Sequence, residues 1–501
     1  MSSERFRRSL ASSDDSAAPP GSCRKPRTVL YVGGGKVWFL PFHLSQQTPP
    51  PHGLLATVED RAVVIGAGIA GLAAARVLSR RFSSVTVLDR DTLPDQAEPR
   101  RGVPQGAHPH ILLISGLNEL NELFPGFEAE LIAAGGSKFD TGLGLATFRY
   151  GRRSRRIPTG LSLVSVSRPL IETIVRKRVA RLPGVAIRDE IAVSGLAGSK
   201  GVVTGVVLDT GETISADLVV DGTGRGARSD RWLAALGFPA PDQAEVKIGV
   251  AYSTRVYRRR PGDMIDWQAA FTVPEPPAQK IAGMALPVEG NRWLVSIGGW
   301  HVAEPPDDPE QLDRYAKALP DTLVGDVMSR AEPLSEVAVA RFPSSRRRLF
   351  EKLDRLPAGY VAVGDAICSF NPIYGQGMTC AVQQAGALGR VLDRHERRSD
   401  ASMARDFYAA AATVISTPWQ FAVGGDFNYP ETTGPRPRGV RLRNWYARQI
   451  SYAAQIDIGT SRIFNAVQQL LIPPGVLFRP VFVVRTLLLA RKRRREDTAA
   501  R

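Results

Sequence analysis

Apolar residues recur along the chain at two spacings. Val63, Val64 and Ile65 form a short uninterrupted run, the mark of a strand buried on both faces. Beyond a glycine-rich turn, Leu72, Ala75, Leu78 and Phe82 follow at helical spacing, and Val85 to Leu88 make a second strand that ends in Asp89. A related order returns late in the chain. Tyr360 to Val363 reads as a strand closed by Gly364 and Asp365, and Asn371 to Met378 as a glycine-rich turn. A helix follows with apolar residues at Met378, Ala381, Val382, Ala385, Leu388 and Leu392. Between these pieces, residues 143–157 and 284–299 have strand character and predict an antiparallel sheet. Residues 401–501 read as mainly helical, with Trp419, Phe421, Trp445 and Tyr446 available to close an apolar cavity.

The pattern predicts an α/β protein with a Rossmann-like dinucleotide domain, an antiparallel-sheet substrate domain and a helical C-terminal region. The dinucleotide domain is discontinuous, over 57–125, 160–240 and 335–400, with the substrate domain at 126–159 and 241–334. Hydrophobic residues make up 43% of 501, enough for a core shared by two or three domains.

Charge changes this picture little. The net charge of +16 comes from arginines scattered over the whole chain, so no stripe suited to nucleic acid is expected. Cys23, Cys368 and Cys380 form neither a CxxC pair nor a metal-ligand pattern, which points to free thiols in a reducing cytoplasm and to no metal. Residues 1–56 lack the features of a secretory signal and are expected to be a disordered or dispensable leader. Within them, residues 29–36 imitate a strand entering a phosphate loop, but no GK[ST] follows and Pro41 interrupts any helix. No uncharged apolar run reaches the roughly 18 residues of a spanning helix. Residues 476–490 are strongly apolar and are followed by Arg491, Lys492, Arg493, Arg494 and Arg495, which leaves two readings, a membrane-surface contact or a helix packed on the core with a solvated basic tail.

Gly66, Gly68 and Gly71 between a strand and a helix form GxGxxG. The first glycine allows the tight turn, the second a close approach of the backbone to a pyrophosphate, and the third close helix–strand packing. Asp89 is placed to accept hydrogen bonds from the adenosine ribose. The unit alone fits NAD or FAD. The late Gly364–Asp365 site favours FAD, because a carboxylate ahead of a helix N-terminus can hold a ribityl hydroxyl while backbone amides serve the flavin ring and pyrophosphate.

With Gly66 to Gly71, then Asp221–Gly222, then Gly364–Asp365 in that order, the sequence resembles the flavoprotein monooxygenases of the p-hydroxybenzoate hydroxylase type. Among these it is most similar to the epoxidases of polyether ionophore pathways, through Arg100 to His108 (RRGVPQGAH), a leucine-rich helix and the Pro125–Gly126 turn. The resemblance runs from about residue 60 into the C-terminal region. It implies that Arg100 and Gln105 lie near the flavin and that Arg168 contacts FAD. It further implies that Asp221 belongs to a stretch serving both FAD and a transient reduced nicotinamide, that Gly364 and Asp365 hold the ribityl and pyrophosphate, and that Pro372, Gly375, Gln376 and Gly377 line the flavin ring. Thr223, Gly224, Arg225, Arg228 and a displaced Ser229 depart from the family pattern, leaving open whether NAD(P)H acts directly or through a separate flavin reductase.

The expected activity is epoxidation of an alkene in a hydrophobic polyketide or terpenoid, through a flavin hydroperoxide on noncovalently bound FAD. Aromatic hydroxylation and reduction of an isoprenoid chain are the alternatives, and the WxWxIP element of flavin halogenases is absent. His108 and His110 titrate in a useful range, but histidines so placed are more often structural, and no catalytic residue is assigned.

Overall fold

The computed structural model describes residues 60–396 and 399–499, together with the backbone of Tyr31–Gly33 and Lys36–Trp38. Those two short strands pair antiparallel. They belong to one compact unit, residues 1–57; the rest of the expected leader and Cys23 lie outside the described residues. The second unit, residues 58–501, carries everything that follows.

Five parallel strands form its first sheet, in the order Tyr360–Ala362, Leu218–Asp221, Arg61–Ile65, Ser84–Leu88, Val185–Arg188. Uninterrupted apolar runs suit this sheet because it is covered on both faces. Helices Ile69–Leu78 and Gly377–Leu392 pack against each other, Gly389 allowing the close approach to Val77. Helix Arg168–Ala180 packs beside Ile69–Leu78. The leucine-rich segment forms helix Ile114–Leu123, and the Pro125–Gly126 turn that follows places Gly126 at φ +81°.

An eight-stranded sheet forms the second layer, in the order Cys368–Ser369, Ala338–Arg348, Gln243–Arg258, Arg292–Gly299, Ile281–Val288, Ala269–Thr272, Leu145–Arg149, Arg152–Arg153. Both stretches expected to be strands lie in it. The sheet is mixed, since Ala269–Thr272 and Leu145–Arg149 pair in parallel. Trp293, Val295 and Ile297 turn one face toward helices Pro309–Lys317 and Leu323–Arg330.

The C-terminal region is helical as expected: Ala401–Asp426, Val440–Ala454, Ile458–Gln468 and Pro480–Ala499. The last helix packs on the rest of the fold along one side. It buries Phe482, Thr486, Ala490 and Arg493 while Val481, Val484 and Leu488 are exposed. The basic cluster is therefore not wholly solvated. Arg493 is 1% exposed and donates to Gln455 Oε1 and to the carbonyl of Tyr150, both at 2.9 Å.

Candidate flavin and substrate site

The three glycines differ in what surrounds them. Gly66 has φ +100° and donates its N–H to Leu88 O at 2.7 Å, and a Cβ there would lie 2.7 Å from Gly222 O. A Cβ on Gly71 would lie 1.9 Å from Gly66 O, so helix and turn touch through that position. Gly68 is different, because a Cβ there would meet only Arg100 Nη2 at 4.0 Å, and the residue borders an open cavity. The second glycine thus presents bare backbone at a helix N-terminus, where a pyrophosphate is favoured.

Asp89 ends strand Ser84–Leu88 with its carboxylate buried. Oδ2 accepts the Ala67 N–H at 2.7 Å; Oδ1 accepts the Asp91 N–H at 2.9 Å and Arg100 Nη1 at 3.1 Å. Arg100 also donates to Asp91 and Glu172, at 2.8 and 2.7 Å. Three carboxylates share this guanidinium, so Arg100 borders the cavity as a neutralised brace. Arg168 is the freer cation: its Nε is buried without a partner, and Nη1 lies 3.4 Å from His110 Nε2. Burial holds its pKa below the usual arginine value, against the opposing pull of Glu172 and Asp365. Gln105 borders the same cavity.

On the opposite side, Asp365, Pro372, Gly375, Gln376 and Gly377 all border the cavity. Burial raises the Asp365 carboxyl, with Arg168 and Arg225 opposing. Gly375, at φ +67°, turns the chain into helix Gly377–Leu392, and Gln376 Oε1 is buried without a partner. Gly364 does not border the cavity; at φ +65° it turns the strand end and donates its N–H to Gln384 Oε1 at 2.9 Å.

Asp221 itself does not border the cavity, although the stretch it opens does. It is fully buried, accepts from Thr223 N and Oγ1 at 3.0 and 2.6 Å, and takes Ser229 Oγ and Tyr360 OH at 2.6 and 2.9 Å. The displaced Ser229 is thus one of its partners. Asp221 pins the loop, while Gly222, Thr223, Gly224 and Arg225 face the cavity. Arg225 lies 4.2 Å above the Phe342 ring and donates to Ser369 and Ser344; burial, then Arg346, lowers its pKa to about 10.

The cavity has a volume of about 1420 Å³, above the roughly 300–1,000 Å³ of single-ligand pockets, and so has room for a dinucleotide with a substrate beside it. Its lining also carries Phe271, Met284, Trp300, Tyr374 and Phe464. Of the four aromatics expected there, Phe421 and Tyr446 border it; Trp419 packs against Phe370, and Trp445 is half exposed outside it. His108 Nδ1 lies 2.8 Å from Thr254 Oγ1, and burial pushes its pKa down to about 4. His110 donates from Nδ1 to the His108 carbonyl at 2.9 Å; burial, then Arg168, pushes it down to about 3. Both histidines border the cavity as neutral, weakly basic groups.

A constellation invisible in the sequence braces the Pro372–Gly377 loop. Asp426, at the end of its helix, accepts on one oxygen from Trp300 Nε1 and Asn371 Nδ2, both at 2.7 Å, and from Tyr374 OH at 3.3 Å. An aspartate after the apolar run Phe421 to Gly425 was the one available signal. Cys368 and Cys380 are buried and unpaired.

The bare backbone at Gly68 and the orphaned polar atoms of Arg168 and Gln376 fit a bound FAD. Residues 61–102 match the family model described as FAD dependent oxidoreductase. Protein Rv3254 of Mycobacterium tuberculosis is 33% identical over 464 residues, covering 89% of this chain and 97% of that protein. A flavoprotein/dehydrogenase from Cytophaga hutchinsonii has a similar structure, with a TM-score of 0.62 at 16% identity, over 87% of this chain and 99% of that one. PqsL, a probable FAD-dependent monooxygenase from Pseudomonas aeruginosa, gives 0.54 at 16% identity, over 74% and 97%. At such identities these two likenesses are of fold, whereas the likeness to Rv3254 extends along both chains. The chain belongs to the family of Rv3254 and is an FAD-dependent oxidoreductase.

Proposed function

We propose that the protein is a monooxygenase that epoxidises an alkene of a hydrophobic, polyketide- or terpenoid-like substrate. The observation that carries the reading is one cavity continuous from the glycine turn to a set of aromatic side chains, whose bordering histidines are both weak bases. Deprotonating a phenol of pKa about 10 with an imidazole of pKa about 4 is uphill by roughly 8 kcal/mol, and His108 and His110 are the only imidazoles bordering the cavity among the described residues. An alkene needs no such proton transfer. FAD, when bound and reduced, supplies the activation of dioxygen. The chain's tasks are to hold the ring against Pro372–Gly377, to place the double bond beside it and to keep water out with residues such as Trp300, Tyr374 and Phe421. PqsL, a probable monooxygenase on the same fold, supports the reading by analogy. Reducing equivalents come from NAD(P)H, directly or through a separate flavin reductase.

Labelled dioxygen supplied with reduced flavin and a polyene tests this. One labelled atom in an epoxide is expected. Label found only in peroxide or water with every alkene, while a phenol is hydroxylated in a pH-dependent manner, would replace the epoxidase with an aromatic hydroxylase.

We further propose that the cavity is served from a lipid surface. Among the described residues no helix is long and apolar enough to cross a membrane. Phe478, Val481, Val484 and Leu488 are 56%, 82%, 58% and 66% exposed, with the exposed Arg485, Arg491 and Lys492 beside them. Such a stripe suits shallow insertion among anionic headgroups. Phe478 also borders the cavity, which supports delivery of an apolar substrate there.

A further inference from the structure

Arg149 closes strand Leu145–Arg149 of the mixed sheet and borders the cavity. Its side chain has little to hold it. Nη1 donates to Ser451 Oγ at a long 3.3 Å, Nε is buried without a partner, and no carboxylate pairs with it among the described residues. Its position is nonetheless fixed, since Gln455 Nε2 donates to its carbonyl at 2.6 Å. Arg448 stands 5.6 Å over the neighbouring Tyr150 ring, borders the same cavity and forms no ion pair among the described residues; its Nη2 donates to Pro276 O at 3.3 Å. The carboxylates bordering the cavity, among the described residues, are Asp89 and Asp365, both placed around the flavin site.

A buried cation without a counter-ion is costly, and a planar guanidinium is matched best by a carboxylate held through two parallel hydrogen bonds. Arg168 and Arg225 act on Asp365, at the end of the cavity where the cofactor is expected. Arg149 touches only groups of the substrate wall, Ser451 and Gln455, with Tyr150 and Tyr374 close enough to act on its charge. Tyr374 belongs to the loop expected to face the flavin ring.

We propose that Arg149 seats a carboxylate carried by the substrate, which is therefore a hydrophobic acid whose chain lies along the aromatic residues of the cavity. This rests on the monooxygenase reading only for which end of the cavity takes substrate. The anchored acid fixes the distance from carboxylate to flavin, and so selects which double bond along the chain is presented.

The test is equilibrium binding to the oxidised, FAD-loaded protein, followed by the change in flavin absorbance, with palmitoleic acid and its methyl ester as probes. The acid is expected to bind roughly tenfold or more tightly than the ester. Arg149→Met should bring the acid down to the ester's affinity, and Arg149→Lys should restore part of the difference. Equal affinity for acid and ester in the unmodified protein, binding of neither, or an undiminished preference in Arg149→Met would overturn the proposal. Should Arg149→Met not fold, the unmodified protein and Arg149→Lys still decide it. No turnover is needed, so the anion site can fail while labelled oxygen enters the ester, and it can hold while no oxygen is transferred.

Discussion

Asp426 makes the stability of this protein depend on pH in a direction opposite to that of an ordinary surface carboxylate. Its side chain is fully buried, one oxygen takes all three donors and the other has none. Burial raises its pKa from 3.8 to about 7, with the hydrogen bonds from Trp300, Asn371 and Tyr374 opposing. Because the folded value lies above the unfolded one, its contribution is complete below about pH 4 and is lost as pH rises through about 7. The shift of about three units corresponds to ~4 kcal/mol, of which roughly 3 falls between pH 5 and pH 8. Asp426→Asn removes the titration while keeping an acceptor for the three donors, and its amide nitrogen replaces an oxygen that had no partner. Urea unfolding of the FAD-loaded proteins should therefore give similar stabilities at about pH 4 and below and an asparagine variant more stable by roughly 4 kcal/mol near pH 8. Parallel stability profiles, or a variant weaker than the parent at pH 8, would refute the reasoning.

Two further outcomes separate structural from ligand-facing positions. Gly71→Ala should give little folded protein, since its Cβ has nowhere to go but Gly66 O, whereas Gly68→Ala should fold normally and lose FAD affinity by about tenfold or more, read by flavin fluorescence on titration. Replacing Val481, Val484 and Leu488 together by Ser should leave the fold intact and reduce cosedimentation with anionic vesicles; unchanged vesicle binding would remove this stripe as a membrane contact.

What could be read from the sequence follows how local the constraint is. GxGxxG, the strand before it and Asp89 obey steric rules confined to a few neighbouring residues, so that unit was legible in full. The turn at Gly364 and Asp365 was legible for the same reason, although only Asp365 borders the cavity. Asp221 stood out as a motif, but its work is set by Ser229 and by Tyr360, 139 positions away, and no spacing rule conveys that. Arg100 read as a flavin contact, while its charge is divided among Asp89, Asp91 and Glu172, the last of which only the packed helix Arg168–Ala180 brings to it. Asp426 and Arg149 carried no motif at all, because their meaning lies in which partners they lack. A run of basic residues on one helix points around its whole circumference, so Arg493 could turn inward while Arg491 and Lys492 stayed in solvent.

The order of the parallel sheet has a consequence for how the protein is made. Its central strand, Arg61–Ile65, finds one neighbour at once in Ser84–Leu88, but its other edge stays open until Leu218–Asp221 has been synthesised. Arg61 and Asp217, which close that edge, are 156 positions apart. Leu218–Asp221 in turn waits for Tyr360–Ala362. For most of its time on the ribosome the nascent chain therefore displays an apolar strand edge, the kind of surface that templates pairing with other chains. Slow folding and a need for chaperone cover during synthesis follow from this topology, whatever the stability of the finished protein.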